Sequence, residues 1–236
     1  MKIALIGYGA MGKLIATLAE NKNHEIAVIV DEADANLSAE RLAEKLKSAN
    51  VAIDFSSAEA VERNVRACVL ARIPLVEGTT GWNNRREEIE QFIKENNGAF
   101  VFGANFSVGV NLFYRITDFA SELFAKFEDY EVFIEERHHS RKKDAPSGTA
   151  LKLKDLVAKH IRDDFSVSAT RAGNIPGTHI VGFDGTADTI ELSHTARSRE
   201  GFASGAILAA EWIVGRKGFY EFTEVMDEII KAKVKR

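Results

Sequence analysis

Two hydrophobic rhythms share the first half of the chain. Unbroken apolar runs at residues 2–6, 25–30, 51–55, 74–76 and 99–103 have the length and composition of strands buried on both faces. Between them the apolar positions fall at helical spacing: Leu14, Ile15 and Leu18 within 13–20, then a stretch from Ser57 to about Ala71, then 84–95. The alternation predicts a parallel sheet covered by helices. After residue 105 the order changes. A helix is expected over 112–127, with Leu112, Phe113, Ile116, Phe119 and Leu123 apolar. A strand over 130–136 places Val132 and Ile134 on one face, and a helix starts near Ala150. Three strands follow at 167–171, 178–183 and 189–195, then helices at 201–214 and 221–231. Closely spaced strands with short turns suggest a mixed or antiparallel sheet carrying helices. No apolar run is long enough to span a membrane, and only the last few basic residues read as a tail.

The first strand runs directly into Gly7-Tyr8-Gly9-Ala10-Met11-Gly12, a GxGxxG opening a helix. In that context the first glycine permits a tight turn, the second lets backbone approach a pyrophosphate, and the third lets helix and strand pack closely. The second strand ends at Asp31, about 20 residues past the glycines, where a carboxylate can accept hydrogen bonds from ribose hydroxyls. The fold class is therefore α/β, with an N-terminal Rossmann-type parallel sheet and a second α+β domain with a mixed sheet. The first domain is expected over 1–104 and 200–236, the second over 105–199. Ligands in such sheets lie at the carboxyl ends of strands. That rule gathers Ser56, Gly78, Thr79, Thr80, Ala104, Asn105 and Phe106 around the same crevice. Asp31 is followed by Glu32. A 2′-phosphate between two carboxylates would be repelled, so NADH is expected over NADPH; Arg41 and Lys45 are the cations further along that could offset this.

The densest chemistry lies at 135–150, Glu-Glu-Arg-His-His-Ser-Arg-Lys-Lys-Asp-Ala-Pro-Ser-Gly-Thr-Ala. His138 and His139 end an apolar strand, and Arg141, Lys142 and Lys143 follow. Pro146 favours an extended residue before it, and Ser147 is a good N-cap for the helix beyond. A helix N-terminus attracts carboxylate or phosphate. Imidazoles, fixed cations and a helix start within one loop suit an anion that must also be protonated. His179 and His194, on strands, read as satisfied sheet histidines. No Cys/His or paired-carboxylate spacing suggests a metal.

Composition bounds the rest. The 236 residues carry a formal net charge of −4, which argues against a nucleic-acid partner. The lone cysteine, Cys68, cannot form an internal disulfide and reads as core filler in a helix. Met1 to Gly7 is too short an apolar run for a signal peptide, so a cytoplasmic location is expected.

The 135–150 stretch, with Gly7–Gly12, Gly78-Thr79-Thr80-Gly81 and Ala104-Asn105-Phe106-Ser107-Val108-Gly109-Val110-Asn111, closely resembles the dihydrodipicolinate reductases of bacterial lysine and diaminopimelate synthesis. The segment His-His-x-x-Lys-x-Asp-Ala-Pro-Ser-Gly-Thr-Ala is highly specific to that family, and the match covers nearly the whole chain. The resemblance implies NAD(P)H-dependent reduction of 4-hydroxy-tetrahydrodipicolinate, with His138 as acid/base residue and Lys142 as second proton donor or substrate-orienting cation. It implies His139, Ser147, Gly148 and Thr149 as substrate contacts, and residues 7–12, Asp31, Gly78 to Thr80 and Gly103 to Phe106 as cofactor contacts. It also implies a homotetramer built through the second domain's sheet, and a hinge between domains. The chain departs from the family in being short between Asp31 and Val51 and in lacking a basic residue just after the acid, so cofactor choice is not carried over. Two rivals remain: a reductase of another cyclic imine or a semialdehyde, and a non-catalytic NADH sensor, which would need no His-His-x-x-Lys beside an anion site.

Overall fold

A computed structural model describes residues 1–162 and 164–234. The expected basic tail lies, at Lys235 and Arg236, outside the described residues. The chain divides into two compact units, Met1–Val108 with Glu200–Arg236, and Gly109–Arg199.

The first unit is a six-stranded, all-parallel sheet. Its strands are β1 (Lys2–Ile6), β2 (Glu25–Val30), β3 (Val51–Asp54), β4 (Leu75–Glu77), β5 (Ala99–Phe102) and β10 (Gly218–Glu221), in the order β10-β5-β4-β3-β1-β2. Strand alternation fills both faces. Ile3, Leu5, Val51, Ile53, Val76 and Val101 pack on one side with α1 (Ala10–Asn21), α7 (Glu200–Ile213) and α8 (Phe222–Val234). Ala4, Ile6, Ala52, Leu75, Phe100 and Phe102 pack on the other with α2 (Ala39–Leu46), α3 (Val61–Ala71) and α4 (Arg86–Glu95). Cys68 is core on that second side, and burial pushes its thiol up. Strand order reverses between β1 and β3, which defines a crevice at their carboxyl ends.

Two elements differ from the expected pattern. Helix α2 is short, but Ser38 caps it by accepting the Arg41 N–H, and Leu42, Ala43 and Leu46 are buried. Strand β10 adds a sixth strand at the edge, beside β5, so α8 begins at Phe222. Four half-buried residues at a sheet edge give too brief a rhythm to separate from the helix that follows.

The second unit pairs β6 (Glu131–His138), β7 (Ser166–Arg171), β8 (Thr178–Asp184) and β9 (Thr189–Thr195) in the order β7-β6-β8-β9. The β6–β7 pair is parallel and the others antiparallel, so the sheet is mixed. Helices α5 (Val108–Phe124) and α6 (Gly148–Val157) bury Phe113, Tyr114, Leu153 and Val157 against Val132, Ile134, Val181 and Phe183. Among the described residues no helix is long and apolar enough to cross a membrane.

At Gly205 helix α7 comes into close contact with the backbone of the loop that follows β5. A Cβ at Gly205 would sit 1.7 Å from the Phe106 carbonyl oxygen. Gly205→Ala should therefore lose roughly 1–3 kcal/mol of stability, the range for overpacking a tight contact. A lowered urea midpoint checks it; an unchanged midpoint would show that α7 can back away freely.

Candidate active site

The cofactor-type residues gather on one edge of the first unit. Gly7 lies at φ +86, and a Cβ there would meet the Phe55 carbonyl oxygen at 2.5 Å. Gly12 must also lack a side chain, since its Cβ would fall 2.1 Å from the Gly7 carbonyl oxygen. Gly9, the N-cap of α1, faces open space. One glycine for the turn, one for approach and one for packing is the division of labour a dinucleotide loop needs. Tyr8 and Met11 are half-buried beside it and Ala10 is exposed.

Asp31 is exposed just past β2, and one carboxylate oxygen already accepts the Ala33 N–H at 3.0 Å. Lys45 is paired with Asp34, whose carboxyl it holds below the usual range. Gly78 sits against the Phe55 ring, and Thr79 is pinned three ways. Its N–H donates to Glu77 Oε1 at 2.8 Å, its hydroxyl accepts the Ser56 N–H at 3.1 Å, and its carbonyl accepts from Trp82 Nε1 at 2.8 Å. Thr80 and Ala104 are exposed at the same edge, and Gly103 follows β5 directly. Asn105 turns back to accept the Ser107 N–H at 2.9 Å. The Phe106 ring is core, 4.7 Å from that of Phe222, so only its backbone is placed for a ligand.

Sequence reading missed two acids beneath these loops. Asp54 and Glu77 are fully buried at the ends of β3 and β4. Burial first, and then the Asp54 charge, pushes Glu77 well above the carboxylate range, which favours its neutral form beside Asp54. Asp54 in turn accepts from the Ser56 N–H at 2.8 Å and from Asn64 Nδ2 at 2.6 Å. The signal was an acid closing each of two otherwise apolar strands.

In the second unit, the face of β6 that begins with Val132 and Ile134 continues with Glu136 and His138, both buried. Across the sheet Glu136 stands opposite His179, and His179 opposite His194. On the parallel side His138 stands beside Arg171. Glu136 Oε1 accepts from the Ser147 N–H at 2.9 Å and from Arg171 Nη2 at 2.6 Å. Its Oε2 lies 3.4 Å from His138 Nδ1 and 3.5 Å from His179 Nε2. Ser147 caps α6 as expected, accepting the Ala150 N–H, and its hydroxyl lies 3.1 Å from His179 Nε2. Gly148, first in the helix, is exposed with open space where a side chain would be, and Thr149 is half-buried next to it. Lys142 Nζ pairs with Asp144 at 2.8 Å, and His139 is half-buried beside them in sequence.

His179 and His194 are therefore not ordinary satisfied sheet histidines. The Nδ1 atoms of both lack a hydrogen-bond partner, and His179 is in the middle of the cluster. Alternation along β8 (His179, Val181, Phe183) and β9 (Ile190, Leu192, His194) puts each imidazole on the same face as its strand's apolar residues. Glu136, His138 and His179 also offer three ligand-type atoms within 4.8 Å of one another. Sequence spacing could not show this, because His179 arrives from another strand. Arg171 already pairs with the carboxylate, however, so these groups fit a hydrogen-bonded proton site better than a cation site.

Electrostatics grade the imidazoles. Burial lowers His138, with Glu136 pulling it up while Lys142 and Arg171 push it down. Burial, then the neighbouring His138, depresses His179 to about 4. Glu136 is opposed by burial, but hydrogen bonds from Ser147 and Arg171 outweigh it and its pKa falls.

The fold belongs to a class, the oxidoreductases that join a parallel Rossmann-type sheet to a second unit with a mixed sheet. Two family models, described as the N-terminus and the C-terminus of dihydrodipicolinate reductase, match residues 1–106 and 109–226. The chain belongs to the dihydrodipicolinate reductase family. The 4-hydroxy-tetrahydrodipicolinate reductase of Christiangramia forsetii is 36% identical over 243 residues, covering 98% of this chain and 100% of its own. The enzyme of that name from Staphylococcus epidermidis is 36% identical over 246 residues, covering 95% and 100%. Among solved structures, a dipicolinate-bound dihydrodipicolinate reductase from Paenisporosarcina sp. TG-14 superposes with a TM-score of 0.77 over 95% of this chain and 99% of that one. At 22% identity it speaks for the fold.

His179 makes the second unit acid-sensitive. Unfolded, it takes a proton near pH 6.5; folded, only near about 4. Between those values protonation favours the unfolded chain, so its contribution is present above about pH 6.5 and is lost as pH falls, up to roughly 3 kcal/mol. His138 and His194, also lowered, act with the same sign. Urea midpoints at pH 7 and 5 should show this loss, and His179→Gln should reduce it. An equal loss in wild type and variant would contradict the assignment.

Proposed function

We propose that this chain reduces 4-hydroxy-tetrahydrodipicolinate to tetrahydrodipicolinate in diaminopimelate and lysine synthesis, with NAD(P)H as reductant. The net reaction takes up a hydride and a proton and releases the 4-hydroxyl as water. The observation that carries the reading is the end of the second unit's sheet, where Glu136 lies 3.4 Å from His138 and accepts the Ser147 N–H at the start of α6, with the Lys142 charge acting on the same imidazole. We assign dinucleotide binding to 1–104 with 200–236, and substrate binding and oligomerisation to 105–199. The open sheet face opposite α5 and α6 is where we place the contacts of a homotetramer. A cytoplasmic location goes with the same reading.

When bound, the dihydronicotinamide supplies the hydride. Gly9 leaves room for the pyrophosphate, Gly7 and Gly12 hold the turn, and Thr79, fixed by Glu77, Ser56 and Trp82, presents its neighbours Gly78 and Thr80. The substrate's two carboxylates go to Lys142, His139 and the first turn of α6 at Ser147, Gly148 and Thr149. His138 gives the proton. Its lowered pKa leaves it neutral in the free protein near pH 7, and two arriving negative charges raise that pKa, so substrate binding itself loads the acid.

His138→Gln should lower kcat by roughly 10²–10⁴-fold, the range for losing a general acid, with NADH affinity little changed. Lys142→Ala should lower turnover and raise both KM and the Ki of dipicolinate, the ligand of the Paenisporosarcina structure. Steady-state kinetics with the condensation product of aspartate semialdehyde and pyruvate decides this; a His138 variant of unchanged turnover removes it from the mechanism.

Cofactor choice belongs to the same proposal. Asp31, Glu32 and Asp34 crowd the end of β2, and Lys45 is occupied by Asp34. NADH should therefore show the higher kcat/KM. A clear NADPH preference in parallel assays would overturn this, and would direct attention to Arg41.

A further inference from the structure

Glu136 is a charged side chain only 1% exposed, and its two oxygens face different parts of the site. Oε1 accepts from the Ser147 N–H at 2.9 Å and from Arg171 at 2.6 Å, so it holds the residue that caps α6. Oε2 is buried with no hydrogen bond, and His138 Nδ1, also buried and unpartnered, lies 3.4 Å away. Two orphaned polar atoms at that separation need only a small rotation to pair, and leaving both unpaired costs about 1–3 kcal/mol each. The other ring nitrogen, Nε2, lies against Gly177, where a Cβ would come within 3.0 Å. The imidazole thus has a carboxylate on one nitrogen and, at the other, space that exists because residue 177 has no side chain.

We infer that Glu136 is the positioning residue of this reaction: its carboxylate accepts a hydrogen bond from the Nδ1–H of His138, so that the imidazolium gives its Nε2 proton to substrate and keeps the Nδ1 proton, while its other oxygen fixes the α6 start that grips the substrate. This rests on His138 being the acid, as proposed above. A single carboxylate then sets the distance between the anion grip and the proton. Glu136 touches neither substrate nor cofactor in this scheme.

The groups facing His138 are Glu136 on its own strand, His179 from β8, Arg171 from β7, and Lys142 and Asp144 from the loop. Of these, Glu136 and Asp144 favour the imidazolium, while Lys142 and Arg171 oppose it. Removing the Glu136 charge must make His138 a stronger acid. Glu136→Gln preserves an acceptor for Ser147, so the fold and the α6 start have a neutral substitute.

The test combines kinetics with imidazole NMR. In Glu136→Gln, the limb of kcat/KM that falls as His138 deprotonates should move to lower pH by about one unit or more. Activity at pH 8 should drop about tenfold per unit moved, with much of it regained toward pH 6. Glu136→Asp, which keeps the charge, should move the limb back toward wild type. In ¹⁵N-histidine spectra of the wild-type protein, neutral His138 should carry its proton on Nδ1. An Nε2-protonated wild-type ring overturns the inference, and that result needs no variant to fold. A uniform loss of activity at every pH with an unmoved limb also overturns it, because that is the signature of a merely structural carboxylate. If His138→Gln retains full turnover, the functional reading fails instead; if His138→Gln is inactive while the limb and tautomer ignore Glu136, only this inference fails.

Discussion

A carboxylate sealed inside the second unit has to be matched where it stands, and the arrangement around Glu136 follows from that constraint. Moving a single charge from water into a protein interior costs several kcal/mol unless hydrogen bonds and a counter-charge replace the water. Arg171 supplies the counter-charge from β7, and Ser147 supplies an N–H from the start of α6. The strand, its parallel neighbour and the helix cap are thereby tied to one group. Arg171 also donates to the Asp144 carbonyl, so the basic loop is anchored at its far end by the same guanidinium. Ser140 closes the near end on the Gly173 carbonyl at 3.1 Å. A loop carrying three cations in a row would otherwise be expected to spread into solvent.

The first unit meets a different constraint, steric rather than electrostatic. Backbone must approach backbone at Gly7 and Gly12, and the remaining ligand-type residues follow because parallel strands all end on one edge. Asp54 and Glu77 show the consequence of that geometry. Strand ends there are buried, so burial pushes up both acids placed at them, Glu77 the further, and the pair accepts the Ser56 and Thr79 N–H groups above it.

Much of this was legible in the sequence, for identifiable reasons. Buried parallel strands announce themselves as apolar runs, GxGxxG is specific in a strand–turn–helix setting, and Ser147 reads as an N-cap from its neighbours. The elements that escaped were α2 and β10, too short for either rhythm to declare itself. His138 and Lys142 could be put forward together from sequence because one short stretch carries both, four positions apart. His179 and Arg171 could not, since strand pairing brings them in from 41 and 33 positions away, by subtraction of residue 138 from each number. Glu136 was half legible. The alternation that put Val132 and Ile134 inside also puts Glu136 and His138 inside, two and four steps further on.

A cluster holding two imidazoles and one carboxylate raises the question of which imidazole responds to the charge. Both lie about equally far from Oε2, so distance does not decide. Burial does. His179 is enclosed between β6 and β9, with His138 on one side and His194 on the other, and is held to about 4; near neutral pH it stays uncharged whatever Glu136 does. His138 is at the strand's end, where the sheet gives way to the basic loop, and keeps a titration that neighbouring charges can steer. Protonating one ring also makes protonating the other harder, since like charges 5.1 Å apart between ring centres repel. The negative charge of Glu136 is therefore felt mainly by one group that can change its protonation, and that group is His138.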